Sequence, residues 1–313
     1  MSVEVTPAAP ATHVYACGNC GAELVVDAKV RTTTCPYCAS PSVVERPSSG
    51  ARHVDPRFVV GFARNADVAK KSLAAWIKRQ SILCHGGIRT ATVEDLKGIY
   101  LPSYLYSAVA RSNYSAEIGE NYTETETYTT TENGKLVTRT RTVTKTEWRS
   151  LSGSYASYLS DIVATASRGL PNAELERVEP FDFRELRRYA PGLIAGWIAE
   201  EASLPEPECL RLAREEATQE AARRVARAMP GDSHRSLSVA TSLSQEAADL
   251  IYVPIWVMAL RYAPDKPPIR VLINGQTGKA GGKAPLSPIR IAILVVLIIA
   301  AIVGIVFWVR SSS

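Results

Sequence analysis

The chain lacks the patterns by which most catalysts are read from sequence. It has no Ser/His/Asp constellation, no paired acids in a known motif and no nucleotide loop, so an enzyme is not expected. The N-terminus has neither a basic n-region nor an apolar h-region. Met1 to Thr12 is small, polar and proline-containing, which is not the make-up of a signal peptide. A strong charge of one sign is also missing: the net charge is +5 over 313 residues, with acids and bases interspersed, and this does not point to nucleic acid. Cysteine is sparse. Of six, four form two close pairs and Cys84 and Cys209 stand apart, the usage of a reducing compartment.

What is present starts with the last apolar run. Ile291 to Val309 is nineteen residues without a charge, bracketed by Arg290 and Arg310 and carrying Trp308 near its end. As a helix it would be about 28 Å long, close to the hydrocarbon thickness of a bilayer. A buried core helix would show polar positions on one face, and this run has none. The expectation is a C-terminal membrane anchor. Lys279, Lys283 and Arg290 precede the run and only Arg310 follows, so the bulk of the chain is expected on the cytoplasmic side of the plasma membrane.

Near the other end, Cys17-Gly-Asn-Cys20 and Cys35-Pro-Tyr-Cys38 are separated by fourteen residues. Each C-x₂-C can offer two thiolates to one ion, and Glu23–Asp27 and Val30–Thr34 are β-prone stretches that would bring the pairs together. So short a segment cannot build a sufficient apolar core, and one structural Zn²⁺ on Cys17, Cys20, Cys35 and Cys38 would supply its folding energy. Two disulfides or a redox dithiol are the alternatives, but a redox pair belongs beside a βαβ unit. Between Ala11 and Arg46, Glu23, Asp27 and Glu45 balance Lys29, Arg31 and Arg46, and four thiolates on zinc leave the site negative. A phosphate binder needs a basic stripe, so protein contact or a purely structural role is expected before nucleic acid. Tyr15 and Tyr37 are expected to pack locally.

After a linker at Pro47–Gly50, a strand at Val59–Phe62 and a helix capped by Asn65 or Asp67 are expected, running to Gln80. Val68, Leu73, Trp76 and Ile77 form its apolar stripe, and Lys70, Lys71, Lys78 and Arg79 a basic face, solvated or turned to anionic lipid. Cys84-His85-Gly-Gly87 reads as a turn in preference to a metal fragment or nucleophile pair. Ile99–Leu105 returns as Ile251–Val257, with Ile, Tyr and Pro identical and three further positions closely replaced; Ala74–Ile77 similarly resembles Ala195–Ile198. A duplicated helix-then-strand unit would explain this, and chance similarity of short apolar words is the alternative. Pro102 and Pro254 are expected at strand starts, edges or bulges.

Asn133-Gly134 predicts a type I′ hairpin. Pairing Glu132 with Lys135 sets Tyr128 opposite Arg139 and Glu126 opposite Arg141. The other face becomes two rows of threonine, Thr123 to Thr131 and Thr138 to Thr146, on a polar arm that is either a docking surface or solvated decoration. Helix is expected over Arg184–Ala202, broken at Pro191, and again from Pro205 to about Met229 with Leu210, Ala213, Ala217, Ala221 and Val225 buried. Asn274–Lys279 looks like a phosphate loop but fails its spacing, and reads as a hairpin turn before the membrane.

Taken together, the fold class is α+β. The boundaries are a disordered N-terminus at 1–12, zinc ribbon at 13–46, linker at 47–56 and a mixed sheet-and-helix cytoplasmic domain at 57–282. That domain has the hairpin arm at 121–148, a helical insertion at 181–230 and an internal repeat; a juxtamembrane stretch at 283–290, a transmembrane helix at 291–309 and a tail at 310–313 follow. The ribbon, Gly98–Tyr106, Val178–Leu186, Leu193–Glu200, Tyr252–Met258, Ile273–Lys279 and the terminal span together resemble, in that order, a family of bacterial membrane-anchored zinc-ribbon proteins. Its members carry labels such as TFIIB-type zinc ribbon or primosomal protein N′ (replication factor Y)-like. The resemblance implies the four cysteines as metal ligands and an adaptor or scaffold at the inner face of the membrane. Its partners would be the lipid bilayer and PspA-like or SPFH (flotillin-like) proteins of membrane-stress systems. Helicase motifs are absent here, and no catalytic residue transfers. The alternative function is a membrane-tethered nucleic-acid binder.

Overall fold

A computed structural model describes residues 12–27, 35–37, 43–46, 54–132 and 135–311. The N-terminal tail before 12, the expected strand at Val30–Thr34, Cys38, the Pro47–Gly50 linker, the Asn133-Gly134 turn and the last two serines lie outside these residues. The strands are β1 (Thr12–Cys17), β2 (Glu23–Asp27), β3 (Val43–Arg46), β4 (Phe58–Val60), β5 (Thr92–Glu132), β6 (Lys135–Thr165), β7 (Leu186–Arg188), β8 (Ile198–Glu200), β9 (Ser233–Arg261), β10 (Ile269–Asn274) and β11 (Ala280–Gly282). The helices are α1 (Ala66–Lys78), α2 (Asn172–Leu175), α3 (Glu206–Arg227) and α4 (Pro288–Ser311). The chain divides into two compact units: one of residues 1–105, 163–209 and 249–313, the other of 106–162 and 210–248. The architecture is mixed α/β.

In the first unit the sheet order is β11-β10-β9-β5-β8-β2-β1-β3. The apolar words Ile99–Leu105 and Ile251–Val257 lie in neighbouring strands of that sheet, and Ile99, Leu101, Ile251, Val253, Ile255 and Val257 belong to one buried cluster. Each word also pairs in parallel with a short strand. Phe58 and Val59 of β4 lie beside Ile251 and Tyr252, and Ile198 and Ala199 of β8 beside Ile99 and Tyr100. The hydrogen bonds around the two prolines correspond as well. Ala166 N–H donates to Pro102 O and Gly275 N–H to Pro254 O, both at 2.9 Å. The Ala166 carbonyl then accepts from the N–H groups of Ser203 and Leu204, and the Gly275 carbonyl from those of Ala63 and Arg64.

The prolines therefore sit inside β5 and β9 and not at their starts. Within a strand, a residue's N and C=O point to the same side. The Pro102 carbonyl faces Ala166, the first residue past β6, and the Pro254 carbonyl faces Gly275, the first past β10. The missing N–H thus falls where each ladder ends, and no ladder bond is lost.

α1 begins as its sequence dictates. Asn65 accepts from the Val68 N–H at 3.1 Å, and Ala69 and Leu73 face the core with Trp76 and Ile77 beside them. Ala69, rather than Val68, is the buried position of the first turn. The expected helix over Arg184–Ala202 does not form. That stretch holds β7, β8 and two short 3₁₀ turns at Phe183–Glu185 and Pro191–Leu193. Pro191 and Gly192 interrupt the helical pattern and Gly196 adopts φ +81°. Ile198–Glu200 is instead taken between β2 and β5, so tertiary pairing overrides local propensity. Ala195–Ile198 accordingly leads into a strand and is no counterpart of the α1 segment Ala74–Ile77.

The second unit contains most of the β5–β6 ribbon. Glu126 meets Arg141 at 3.1 Å, the pair expected to face each other, and Lys145 reaches diagonally to Glu124 at 2.6 Å. The strands are longer than a separate arm at 121–148 and run continuously from Thr92 and to Thr165. β9 lies antiparallel beside β5, with Ser112 and Thr241 hydroxyls 2.8 Å apart. α3 buries Ala213, Ala217, Ala221 and Val225 at strict four-residue spacing; Cys209 continues the stripe and Leu210 is only half-buried. Arg214 donates to Glu246, which accepts from Tyr106, and Arg224 donates to the Tyr158 carbonyl.

α4 is a single continuous helix in which the apolar stretch within Pro288–Arg310 reaches a mean hydropathy of 3.2 over 18 residues, none of them buried. By length and composition it can cross a membrane. Its first turn is fastened to the first unit: Arg290 donates to the carbonyls of Ile82 (2.8 Å) and Cys84 (3.0 Å), and Ser287 N–H to that of Leu83.

Candidate metal centre

The thiols of Cys17, Cys20 and Cys35 converge, their sulfur atoms all lying within 4.8 Å of one another. The Cys17–Cys20 turn is tight for a backbone reason. Gly21 donates to the Cys17 carbonyl and Cys17 to the Ala22 carbonyl, both at 2.9 Å, and the reversal needs φ +75° at Gly21, a conformation glycine adopts without steric cost. Cys20 and Cys35 approach to 3.5 Å between sulfurs. Cys17 and Cys35 are buried and Cys20 is half-exposed. A soft-donor set at this spacing can hold a metal ion. Cys38, expected as the fourth ligand, lies outside the described residues.

Beneath the thiols is a polar network that sequence reasoning missed. β8 pairs with β2 through Leu24 and Glu200, and this sets the Glu200 side chain, wholly buried, under the second cysteine turn. Glu200 accepts from the Tyr37 hydroxyl through one carboxylate oxygen and from Ser167 Oγ at 2.5 Å through the other. Ser167 Oγ in turn accepts from the N–H groups of Gly169 (2.9 Å) and Leu170 (3.2 Å). Burial pushes the Glu200 carboxyl up to about 8, against the lowering effect of its Ser167 and Tyr37 hydrogen bonds. Burial also raises Tyr37, further lifted by the neighbouring Glu200 charge. No sequence signal marks these partners, because Tyr37, Ser167 and Glu200 come from three distant segments. Tyr37, expected to pack locally, is instead buried against segments distant in sequence, with Arg270 over its ring at 5.4 Å.

An open cleft of about 330 Å³ beside the cysteine turns is lined by Asn19, Tyr37, Glu174, Arg177, Arg270 and Lys283 among others. Elsewhere, Cys84 and His85 form a turn: the His85 imidazole accepts from Gly87 N–H at 3.2 Å and caps a 3₁₀ turn over Gly86–Thr90. The Asn274–Lys279 turn, beginning on the last residue of β10, joins it to β11 and leads into a strand, not a helix. Its Asn274 Oδ1 accepts from the Gln276 and Thr277 N–H groups, so the loop's donors are turned inward.

Fold and site together define a mixed α/β protein with an N-terminal thiol cluster able to hold a metal ion and a C-terminal helix able to span a membrane. No family model matches the chain, and no solved structure matches it. Among curated proteins it is similar to "Uncharacterized protein YdjG" of Bacillus subtilis (strain 168), with 25% identity over 250 residues, spanning 77% of this chain and 67% of that protein.

Proposed function

We propose that the chain is a tail-anchored zinc-ribbon scaffold at the cytoplasmic face of the membrane, which recruits or organises proteins there and catalyses nothing itself. The observation that carries this reading is that thiol cluster and anchor root belong to one unit. β2 is paired to β8 in the common sheet, and Arg290 is hydrogen-bonded to the Ile82–Cys84 turn. A metal-ordered ribbon would thereby be displayed at a fixed place relative to the span.

Zinc is the metal that suits the donors. In a tetrahedral site with Zn–S near 2.3 Å, neighbouring sulfurs lie about 3.8 Å apart, and thiolate-rich sets favour this ion. The 3.5 Å between Cys20 and Cys35 is close to that spacing. With Cys38 as fourth ligand the tetrahedron is filled, leaving no open position for substrate, so the role is structural. An internal duplication fits the same picture. In this reading β4-α1-β5-β6 and β8-α3-β9-β10 are two copies of one unit, supported by the matched bonds at Pro102 and Pro254 and by each copy's short strand lying beside the other copy's long one. The copies have diverged where the ribbon sits: only the second copy's short strand carries Glu200.

By resemblance, the recruited partners would be PspA-like or flotillin-like proteins of a membrane-stress system. The test is affinity purification of the full chain from detergent-solubilised membranes, beside a variant with Cys17 and Cys20 changed to Ser. The reading expects specific membrane-associated partners with the parent chain and their loss with the variant. Recovery of nothing beyond background with the parent would overturn it.

A further inference from the structure

Two stretches far apart in sequence meet at the root of α4. His85 N–H donates to the Pro285 carbonyl (2.8 Å), Ser287 N–H to the Leu83 carbonyl (2.8 Å), and Cys84 forms a β-bridge with Leu286. Arg290 closes the arrangement on the Ile82 and Cys84 carbonyls. A Cβ added to Gly86 would lie 3.0 Å from the Arg290 guanidinium, so the chain there is closely fitted. The joined turn and strap nonetheless expose large aliphatic side chains: Ile82 is 72% exposed, Leu286 58% and Ile289 72%. Water is a poor neighbour for three aliphatics at one place, and α4 begins at Pro288 among them.

The charge distribution points the same way. No acid occurs between Asp67 and Glu94, or anywhere after Asp265. Residues 68–93 and 266–290 instead carry ten of the 36 Lys and Arg: Lys70, Lys71, Lys78, Arg79 and Arg89 in the first, Lys266, Arg270, Lys279, Lys283 and Arg290 in the second. Twenty-six bases against 31 acids remain for the rest of the chain, a net of −5, so the mild overall charge of +5 conceals a polarity. Lys78 and Arg79 stand four and three residues before Ile82, and Lys283 three before Leu286. Lys78, Arg79 and Lys283 are exposed.

From these observations we propose that the Ser81–His85 turn and the Pro285–Arg290 strap form a second membrane contact beside the span, a foot whose partner is an anionic bilayer surface. Ile82, Leu286 and Ile289 enter the boundary between headgroups and acyl chains, and Lys78, Arg79 and Lys283 lie against the lipid phosphates. The proposal rests on α4 being the anchor. It adds that the folded unit is seated on the bilayer in one orientation, where a bare tether would leave it free to tumble.

The test uses the full chain reconstituted in vesicles of phosphatidylcholine and phosphatidylglycerol, with an environment-sensitive fluorescent amino acid placed singly at position 82, 289 or 54. Val54 is also exposed but belongs to neither stretch. Brominated acyl chains serve as quencher, and resistance to alkaline carbonate reports integration independently. The foot predicts blue-shifted, quenched emission at 82 nearly equal to that at 289, with 54 unquenched. It also predicts that quenching at 82, but not at 289, falls in vesicles of phosphatidylcholine alone or when Lys78 and Arg79 are changed to Glu. A carbonate-resistant protein with position 82 as unquenched as 54 overturns the foot while leaving the anchor standing. Extraction by carbonate overturns the anchor and the seat built on it. Strong quenching at 82 that ignores both lipid charge and the Glu substitutions overturns the anionic partner.

Discussion

Asn274 holds more of the first unit together than its size suggests, and replacing it is a quantitative test of the fold. The side chain is fully buried at the end of β10. Its Nδ2 donates to the carbonyls of Val178 (3.0 Å) and Pro180 (3.1 Å), and its Oδ1 accepts from the N–H groups of Gln276 and Thr277 (2.9 Å each). Only one orientation of the amide satisfies all four partners. Asn274→Ala strips two carbonyls and two N–H groups of their partner at once. At about 1 kcal/mol of net stability for each such bond, the loss is about 4 kcal/mol. That is a large fraction of the roughly 5–15 kcal/mol by which a domain is stable. Asn274→Asp should be at least as damaging at neutral pH, since a carboxylate keeps the two N–H donors but opposes two carbonyl oxygens. Acidification should relieve part of its deficit, because a neutral acid can donate one bond. The assay is guanidinium unfolding of the full chain in detergent, followed by tryptophan fluorescence. A cost below about 1 kcal/mol for Asn274→Ala, or an Asp variant that unfolds with the parent, would refute the reasoning.

Three further outcomes are expected. Metal analysis of the purified chain should find one zinc, lost in Cys17→Ser and Cys35→Ser variants, and chelation should speed proteolysis within residues 12–46; undiminished zinc in both variants would rule out the cluster as the site. Gly169→Ala should weaken zinc binding in competition with a colorimetric chelator, because the new Cβ would lie 2.5 Å from that of Ala22, whose carbonyl closes the Cys17 turn; unchanged affinity would show that the turn is not braced there. Hydrogen bonds from Tyr106 and Arg214 hold the Glu246 carboxyl below the usual carboxylate range. Its contribution to stability is therefore complete above the unfolded value of about 4.3 and is lost as pH falls through the lower folded one. Glu246→Gln should flatten that acid limb in a series of denaturation curves, and an unaltered limb would show the interaction to be without weight.

The parts of the molecule legible in sequence are those governed by local spacing. The apolar run that became α4, the Cys17–Cys20 turn and the register of β5 against β6 each depend on residues a few positions apart, and Glu126 does meet Arg141. The α1 cap and the turn at Cys84-His85 are of the same kind. Segments whose structure is decided at long range were misread. Arg184–Ala202 has helix-forming composition, yet Ile198–Glu200 gains more as the strand that joins β2 to β5. The Glu200 network and the four bonds of Asn274 assemble side chains and carbonyls up to 163 and 96 residues apart, and no window on the sequence contains them. Pro102 and Pro254 show the same limit: whether a proline is tolerated within a strand depends on where its neighbour stops.

The pairing of β4 with β9 carries a consequence for how the protein is made. Phe58 aligns with Arg188 of β7 on one side and with Ile251 on the other, so the edge of β4 that faces β9 has no partner until 193 further residues have been joined. At roughly 5–20 residues per second this is a wait of about 10–40 s with an apolar edge bare. The pairing of β1 with β2 and β3, by contrast, closes within a few dozen residues. A nascent chain released early, or stalled before Tyr252, would have its N-terminal strand pairs closed and an unfinished sheet. Such products should be the ones that chaperones retain and proteases remove, so the cell would judge this protein by its second half.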